Sequence, residues 1–156
     1  MLLYRGRHRT GFLCSTGSVP RPYNAGMVDQ KRSLSLMRDV FAVCRLDKEA
    51  PVPSWALGGY FFCVARTPDE LSVVCEQGVI PEGVEREDGW RCFKVESPFE
   101  FDLASVVSSM ATRLAEEVTK MFVVATWDSD YLMVKQDDLE PTIATLEEAG
   151  HRVNKQ

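Results

Sequence analysis

The chain has 156 residues, of which 45% are hydrophobic and 26% are charged, and its formal net charge is −5. This length accommodates one domain of ordinary size or two very small ones, and the composition is that of a globular protein. No apolar run approaches the roughly 18 residues that a membrane-spanning helix needs, so we expect no membrane partner.

The charge is unevenly distributed along the chain. Residues 1–26 carry four arginines and no acidic residue, which leaves 14 basic and 23 acidic side chains for the other 130 residues. An acidic body argues against a nucleic-acid partner, because phosphate binding requires a positive surface. We expect residues 1–36 to form a basic, disordered N-terminal extension, with a mitochondrial transit peptide in residues 1–26 as the alternative.

The cysteines show no CxxC pair, which argues against a zinc site or a thioredoxin-type redox site. Four of them lie in apolar runs of strand character, where a free cysteine is usually a small buried hydrophobe. Unpaired cysteines favour a reducing, cytoplasmic location. The five cysteines are Cys14, Cys44, Cys63, Cys75 and Cys92.

Residues 37–88 predict a small unit of three strands without a long helix. The runs Val40–Leu46, Tyr60–Arg66 and Leu71–Cys75 are apolar, of strand length, and rich in β-branched or aromatic residues. Two prolines in residues 47–55 place a loop between the first two strands, since proline cannot donate to a strand ladder.

The sequence of residues 89–156 predicts a complete βαββαβ unit. Apolar residues recur at three- and four-residue spacing in Asp102–Glu117 and in Asp137–Ala149, which predicts two amphipathic helices. Gly150 follows the second helix, where a left-handed C-terminal cap belongs. The predicted fold class is therefore α+β, a ferredoxin-like sandwich with helices on one face of a sheet. The predicted strands are Trp90–Glu96, Lys120–Thr126, Asp130–Lys135 and His151–Val153.

The turn between the two central strands of this unit is rich in oxygen. Asp128 and Asp130 can offer charge-assisted acceptors to the ammonium or guanidinium group of a ligand. The alternative is that both acids are solvated or bond to the backbone of the turn. The turn supplies too few oxygens for a metal ion, so we expect no metal here.

Five segments of the chain follow one another in the order of a known family. They are Phe41–Leu46 (FAVCRL), Pro53–Ala56 (PSWA), Arg66–Cys75 (RTPDELSVVC), Gly89–Cys92 (GWRC) and the hairpin at 125–131 (ATWDSDY). In these segments the chain resembles small tandem ACT-domain proteins over about residues 38–151. It also resembles the halves of the Castor-type arginine sensor and, more distantly, the regulatory domains of aspartate kinases. The resemblance implies two ACT-like units in tandem, the first truncated in its helices.

The resemblance also implies that such units pair side by side and bind an amino acid at their interface. In this chain the ligand site would combine the helix start, with Asp102, Ser105 and Val106, and the hairpin, with Thr126, Asp128 and Asp130. The helix start would supply backbone donors for the ligand carboxylate. Asp102 alternatively acts only as the N-cap of its helix.

The chain departs from the family pattern at this implied site. Ser105 adds a side chain where the family has a glycine that lets the ligand carboxylate approach the backbone. At the hairpin, Trp127 replaces the tyrosine of the family pattern, and Ala125 replaces a serine, which removes one hydroxyl.

Catalytic motifs are not evident in the sequence. The two histidines are His8 and His151, and no nucleophile elbow, phosphate loop or dinucleotide-binding glycine pattern occurs. We therefore expect a non-enzymatic regulatory module that binds an amino acid, needs no cofactor and pairs as a homodimer or intramolecularly. The alternative is an interaction or scaffold module that kept the fold and lost the ligand; a small enzyme is the third possibility.

Overall fold

The computed structural model describes the backbone of residues 2–5 and, with side chains, residues 31–96, 110–115, 118 and 120–155. Within these residues nine strands form one mixed sheet. The strands are β1 (Leu2–Arg5), β2 (Ser33–Leu36), β3 (Phe41–Leu46), β4 (Cys63–Arg66), β5 (Leu71–Glu76), β6 (Arg86–Glu96), β7 (Lys120–Ala125), β8 (Asp130–Lys135) and β9 (Arg152–Lys155).

The first unit contains β3, β4 and β5, which are joined as antiparallel neighbours with β5 in the middle. Where a complete βαββαβ unit has its two helices, this unit has single 3-10 turns at Ser54–Leu57 and Gln77–Val79. Pro51 and Pro53 precede the first of these turns and prevent a longer regular element. The prediction of a first unit truncated in its helices is confirmed.

The second unit has the full strand and helix order of a ferredoxin-like fold. Residues 110–114 form the described part of a helix, α1, between β6 and β7, and a second helix, α2 (Leu139–Glu148), connects β8 to β9. Strands β7 and β8 pair antiparallel, as the sequence predicts, with Val123 opposite Leu132. The α+β fold class is thus confirmed; the remainder of the predicted helix Asp102–Glu117 lies outside the described residues.

Strand β6 joins the two units because it belongs to both. It has 11 residues, and its first half pairs with β3, with Arg86 opposite Cys44. Its second half pairs with β8 on one edge and with β2 on the other. Strand β2 in turn pairs in parallel with β9, so it lies between β9 and β6. Strand β6 is therefore shared by the sheets of the two units.

The sheet has a helix face and an opposite face. On the helix face, Leu132 and Val134 of β8 pack with Met110 and Leu114 of α1 and with side chains of α2. On the opposite face, Met133 and Tyr131 belong to a second core cluster that also includes residues of the first unit. A third cluster fills the first unit, where Leu71, Val73 and Cys75 of β5 pack beneath the loop that carries Ala56.

Some element boundaries differ from the sequence prediction. Strand β4 begins at Cys63, because the predicted residues Tyr60–Phe62 leave the ladder. Strand β6 begins at Arg86, inside a stretch that the sequence predicts to be loop. Strands β1 and β2 come from the N-terminal 36 residues, in which the sequence predicts no strand. No helix among the described residues has both the length and the apolar character needed to cross a membrane.

Candidate functional site

The predicted ligand-binding hairpin connects β7 to β8. The Thr126 backbone N–H donates to the carbonyl oxygen of Ser129 at 2.9 Å, and the Thr126 hydroxyl donates to the same oxygen at 2.7 Å. The Thr126 hydroxyl oxygen also accepts from the Ser129 N–H at 3.2 Å. The Thr126 side chain therefore closes the turn, and its single hydroxyl donor is already used there.

The tip of the hairpin is open to solvent. Asp128 is exposed, and the side chain of Trp127 is 96% exposed. An acid in this position is solvated, which is the alternative that the sequence leaves open for it. An almost fully exposed tryptophan is unusual, because this side chain carries the largest apolar surface of the common residues.

Asp130, unlike Asp128, is buried. It is only 6% exposed, and it stands opposite Val95 of β6 and Ala125 of β7. Side chains alternate along a strand, so Asp130 shares the helix face with Leu132. Burial raises the pKa of this carboxyl group above its usual value. It has no hydrogen-bond or ion-pair partner within the described part of the chain.

Burial favours the neutral form of a carboxyl group, so the Asp130 carboxyl can either hold a proton or bind a cationic group. The chain leaves β6 after Glu96, next to Val95, and hence at the same end of the sheet as Asp130. The three other predicted site residues, Asp102, Ser105 and Val106, follow in the sequence and lie outside the described residues. The structure therefore describes only the hairpin half of the predicted site, and its meeting with the helix start stays a prediction.

A cleft of about 670 Å³ opens between the two units, and the sequence gives no direct indication of it. Gln77 links its two sides: its backbone N–H donates to the Val40 carbonyl oxygen, and its side-chain oxygen accepts from the Gly89 N–H, both at 2.9 Å. The carboxylates outnumber the single lysine in its described lining. The lining residues are Asp39, Val40, Glu76, Gln77, Gly78, Asp88, Gly89, Lys135, Gln136 and Asp137.

Lys135 is held in place at the wall of this cleft. Its ammonium group donates to the Asp88 carbonyl oxygen, lies 3.6 Å from the Glu87 carboxylate, and stands 4.9 Å above the centre of the Trp90 ring. Glu87 also accepts from Lys120 at 2.6 Å, and this bond holds the pKa of the Glu87 carboxyl below its usual value. The lysine is therefore part of an ion-pair and cation–π arrangement.

A smaller cleft of about 310 Å³ is also lined from both units. Thr126, Asp128 and Asp130 line neither cleft. The paired glycines Gly58-Gly59 before Tyr60 are the sequence signal that could have drawn attention to this region, since glycine pairs mark unusual loops. The smaller cleft is lined by Ser35, Met37, Arg38, Asp39, Tyr60, Lys94 and Glu96.

Among the residues that the structure describes, no group of three or more His, Cys, Asp or Glu side chains is placed to hold a metal ion. The described cysteines are free thiols in or near the core. Burial raises the pKa of Cys92 to about 12, so this thiol is not a ready nucleophile.

Comparison with known proteins gives matches along most of the chain. A family model described as ACT domain matches residues 85–148, and a model of an N-terminal domain matches residues 39–83. A crystal structure of a protein from Agobacterium tumefaciens is 38% identical, with a TM-score of 0.77, over 81% of this chain and 95% of that one. No curated protein sequence matches the chain.

More distant structures share the fold. A Vibrio cholerae protein of unknown function, described as a possible transport protein, is 21% identical with a TM-score of 0.63, over 78% of this chain and 92% of that one. The aspartate kinase of Clostridium acetobutylicum, described as an allosteric enzyme, is 11% identical with a TM-score of 0.58. That match covers 81% of this chain but 36% of the kinase, so the likeness is to a part of the enzyme.

Proposed function

The chain belongs to the ACT domain family, and from this premise we propose that it is a regulatory, non-enzymatic module that binds a small amino acid-like ligand. The described part of the chain has the two-unit ACT architecture, and it shares its fold with part of an allosteric kinase. A regulatory module of this kind needs a site whose occupancy changes the stability or the association of the protein.

The observation that carries the proposal is the buried Asp130 carboxyl group. It is 6% exposed and lacks a partner among the described residues, although buried carboxyl groups are normally hydrogen-bonded. The ammonium group of an amino acid would form a charge-assisted hydrogen bond with the ionised form. Ligand binding would thereby offset the cost of burying the ionised carboxylate.

The roles that we propose for the remaining predicted residues follow from the position of Asp130. We assign the ligand carboxylate to the backbone donors near Asp102, Ser105 and Val106, because a helix start favours an anion. Thr126 closes the turn beside the site and Asp128 stands at its solvent edge. Ser105 carries a side chain where the family pattern has a glycine, and we expect this to favour a small ligand.

The test is a thermal-shift screen of the twenty amino acids on the full chain. A ligand present at 100 times its Kd stabilises a protein by about 2.7 kcal/mol. Loss of one partner of a desolvated charge pair costs roughly 2–5 kcal/mol of binding. We therefore expect Asp130→Asn to abolish the shift and Asp128→Asn, the matched control at the exposed position, to retain it.

Two results would contradict this proposal in different ways. If no amino acid stabilises the wild-type chain, the ligand-binding function is wrong. If Asp130→Asn binds as well as the wild type, the ligand site lies elsewhere and Asp130 has no role in binding.

An interaction or scaffold function is the second candidate, and Trp127 favours it. Tryptophan is enriched among the residues that dominate binding energy in protein interfaces, and this one is 96% exposed. We propose a second copy of the chain as the partner. Sedimentation velocity should then show a dimer for the wild type and a shift toward monomer for Trp127→Ser; a wild-type monomer at all concentrations would exclude self-association.

The cytoplasm is the proposed location. Cys44, Cys63, Cys75 and Cys92 are free in the structure, and free thiols persist in a reducing compartment. Imaging a fusion to the C-terminus would distinguish this location from the mitochondrial alternative.

A further inference from the structure

We propose that Phe61 is a positioning residue that holds the start of β8, and with it Asp130, from the side of the first unit. The inference rests on the proposed function insofar as Asp130 contacts a ligand. Its structural part, that a residue of one unit fixes a strand of the other, stands by itself and is tested without a ligand.

Phe61 packs against residues of both units. It is 8% exposed, whereas its neighbours Tyr60 and Phe62 are 78% and 42% exposed. Its ring centre lies 4.5 Å from that of Tyr131 on β8, with the ring planes tilted by 35°. It also lies 5.9 Å from the ring of Phe41 on β3, in an edge-to-face arrangement. Phe61 is thus clamped between one aromatic ring of each unit.

The loop that carries Phe61 is fixed at its base by Glu76, at the end of β5. The Tyr60 N–H donates to the Glu76 carboxylate at 3.3 Å. Gly59 has a φ of +80°, and a Cβ at this position would overlap the same carboxylate. Glycine at position 59 therefore suits both the left-handed backbone and the close approach of the Glu76 carboxylate. This attachment lies immediately before Phe61, and the β4 ladder begins only at Cys63.

The position of Tyr131 connects this contact to the candidate site. Tyr131 directly follows Asp130, and the two side chains point to opposite faces of β8. Phe61 on one face therefore limits the movement of the strand that presents the Asp130 carboxyl group on the other. A carboxyl group held in one position loses less freedom when a ligand binds, and this raises the affinity.

The test compares Phe61→Leu with Phe62→Leu by amide hydrogen exchange in the ligand-free chain. Leucine keeps a large apolar side chain at position 61 and removes the ring that contacts Tyr131. An aromatic pair is worth about 0.5–1.5 kcal/mol beyond burial, so we expect exchange at residues 130–132 to rise about 2- to 12-fold. The reference is exchange at residues 71–73 of β5, whose Leu71 and Val73 pack in a different core cluster from that of Phe61, since a general loss of stability would raise both equally.

The outcomes separate this inference from the proposed function. Faster exchange at residues 130–132 relative to β5 in Phe61→Leu, and unchanged exchange in Phe62→Leu, would support the positioning role. Equal changes in both segments, or no change, would overturn it. The same variants are then screened with the twenty amino acids for a ligand-induced thermal shift. If the wild type shows a shift and Phe61→Leu retains it in full, the link to binding is overturned. If the wild type shows no shift, the proposed function is refuted and the exchange result remains valid.

Discussion

At the scale of single residues, the two aspartates of the β7–β8 hairpin show how the same side chain acquires different chemistry. Asp128 is exposed to solvent at the tip, and Asp130, two residues later, is buried on the helix face of the sheet. The sequence identifies both as candidates because both are carboxylates in the same turn. It does not separate them, because the burial of Asp130 depends on residues that are remote in sequence.

The raised pKa of Asp130 gives a pH-dependence with a definite sign. Because burial raises its pKa in the folded protein, the folded state binds the proton more tightly than the unfolded state does. Stability should then fall as pH rises from the usual carboxyl value, near 3.8, through the raised value in the folded protein.

We expect Asp130→Asn to remove this contribution and to stabilise the ligand-free protein at neutral pH. Urea unfolding between pH 4 and pH 8 measures the effect, and Asp128→Asn should follow the wild type throughout. A decrease in stability for Asp130→Asn at neutral pH would show that the ionised carboxylate has a favourable partner after all.

Gly59 is the residue on which the attachment of the Phe61 loop depends. Alanine at this position must adopt a positive φ and also displace the Glu76 carboxylate. A left-handed conformation alone costs a residue other than glycine roughly 1–2 kcal/mol. We expect a loss of unfolding free energy of at least this size, measured by urea denaturation, whereas Gly58→Ala should cost less because its Cβ would meet no neighbour within 4 Å.

At the scale of elements, the sequence predicts best where a local pattern decides the structure. Strands β3, β5 and β8 have the expected type because each is an apolar run of strand length, and helix α2 because its apolar residues repeat at helical spacing. The first half of β6 has charged residues, from which no strand is predicted; its strand conformation comes from pairing with β3. Strand β2 has the alternating sequence SLSL, a strand pattern of only four residues.

The candidate site also has a part that local sequence patterns predict and a part that they do not. Local turn chemistry identifies the hairpin and its acids, and the structure confirms the pairing of β7 with β8. The clefts between the units arise from contacts such as that of Gln77 with Gly89, and the aromatic clamp joins Phe61 to Tyr131. No periodic pattern encodes these contacts, because each depends on how the two units are placed.

The end of α2 provides a prediction at this scale. Gly150 has a φ of +85°, its N–H donates to Glu147 at 2.8 Å, and the His151 N–H donates to Leu146 at 3.0 Å. This is the glycine-capped helix end that the sequence predicts. Gly150→Ala should cost roughly 1–2 kcal/mol of stability because of the left-handed backbone. Gly150→Asn should cost less, since asparagine tolerates this conformation better; equal losses measured by urea unfolding would point to the nearby Lys31 side chain instead.

At the scale of the whole molecule, the shared strands make the two units interdependent. Strand β6 closes the sheet of the first unit with its first half and forms the centre of the second with the rest. The core on the face opposite the helices includes Phe41 and Val74 from one unit and Phe122 and Met133 from the other. Neither unit can lose its structure without exposing apolar surface and unpaired backbone of its neighbour.

We therefore expect the two units to unfold in one cooperative transition. Leu71→Ala removes a fully buried side chain from the core of the first unit, where such a change costs roughly 2–5 kcal/mol. Native-state hydrogen exchange should show this loss not only in β5 but equally in the slowest amides of β8, on the far side of β6. A surface variant in the same unit, Asp69→Ala, should leave both segments unchanged. If Leu71→Ala accelerates exchange in β5 and leaves β8 protected as before, the units are separate folding entities, and a signal in one cannot reach the other through the shared sheet.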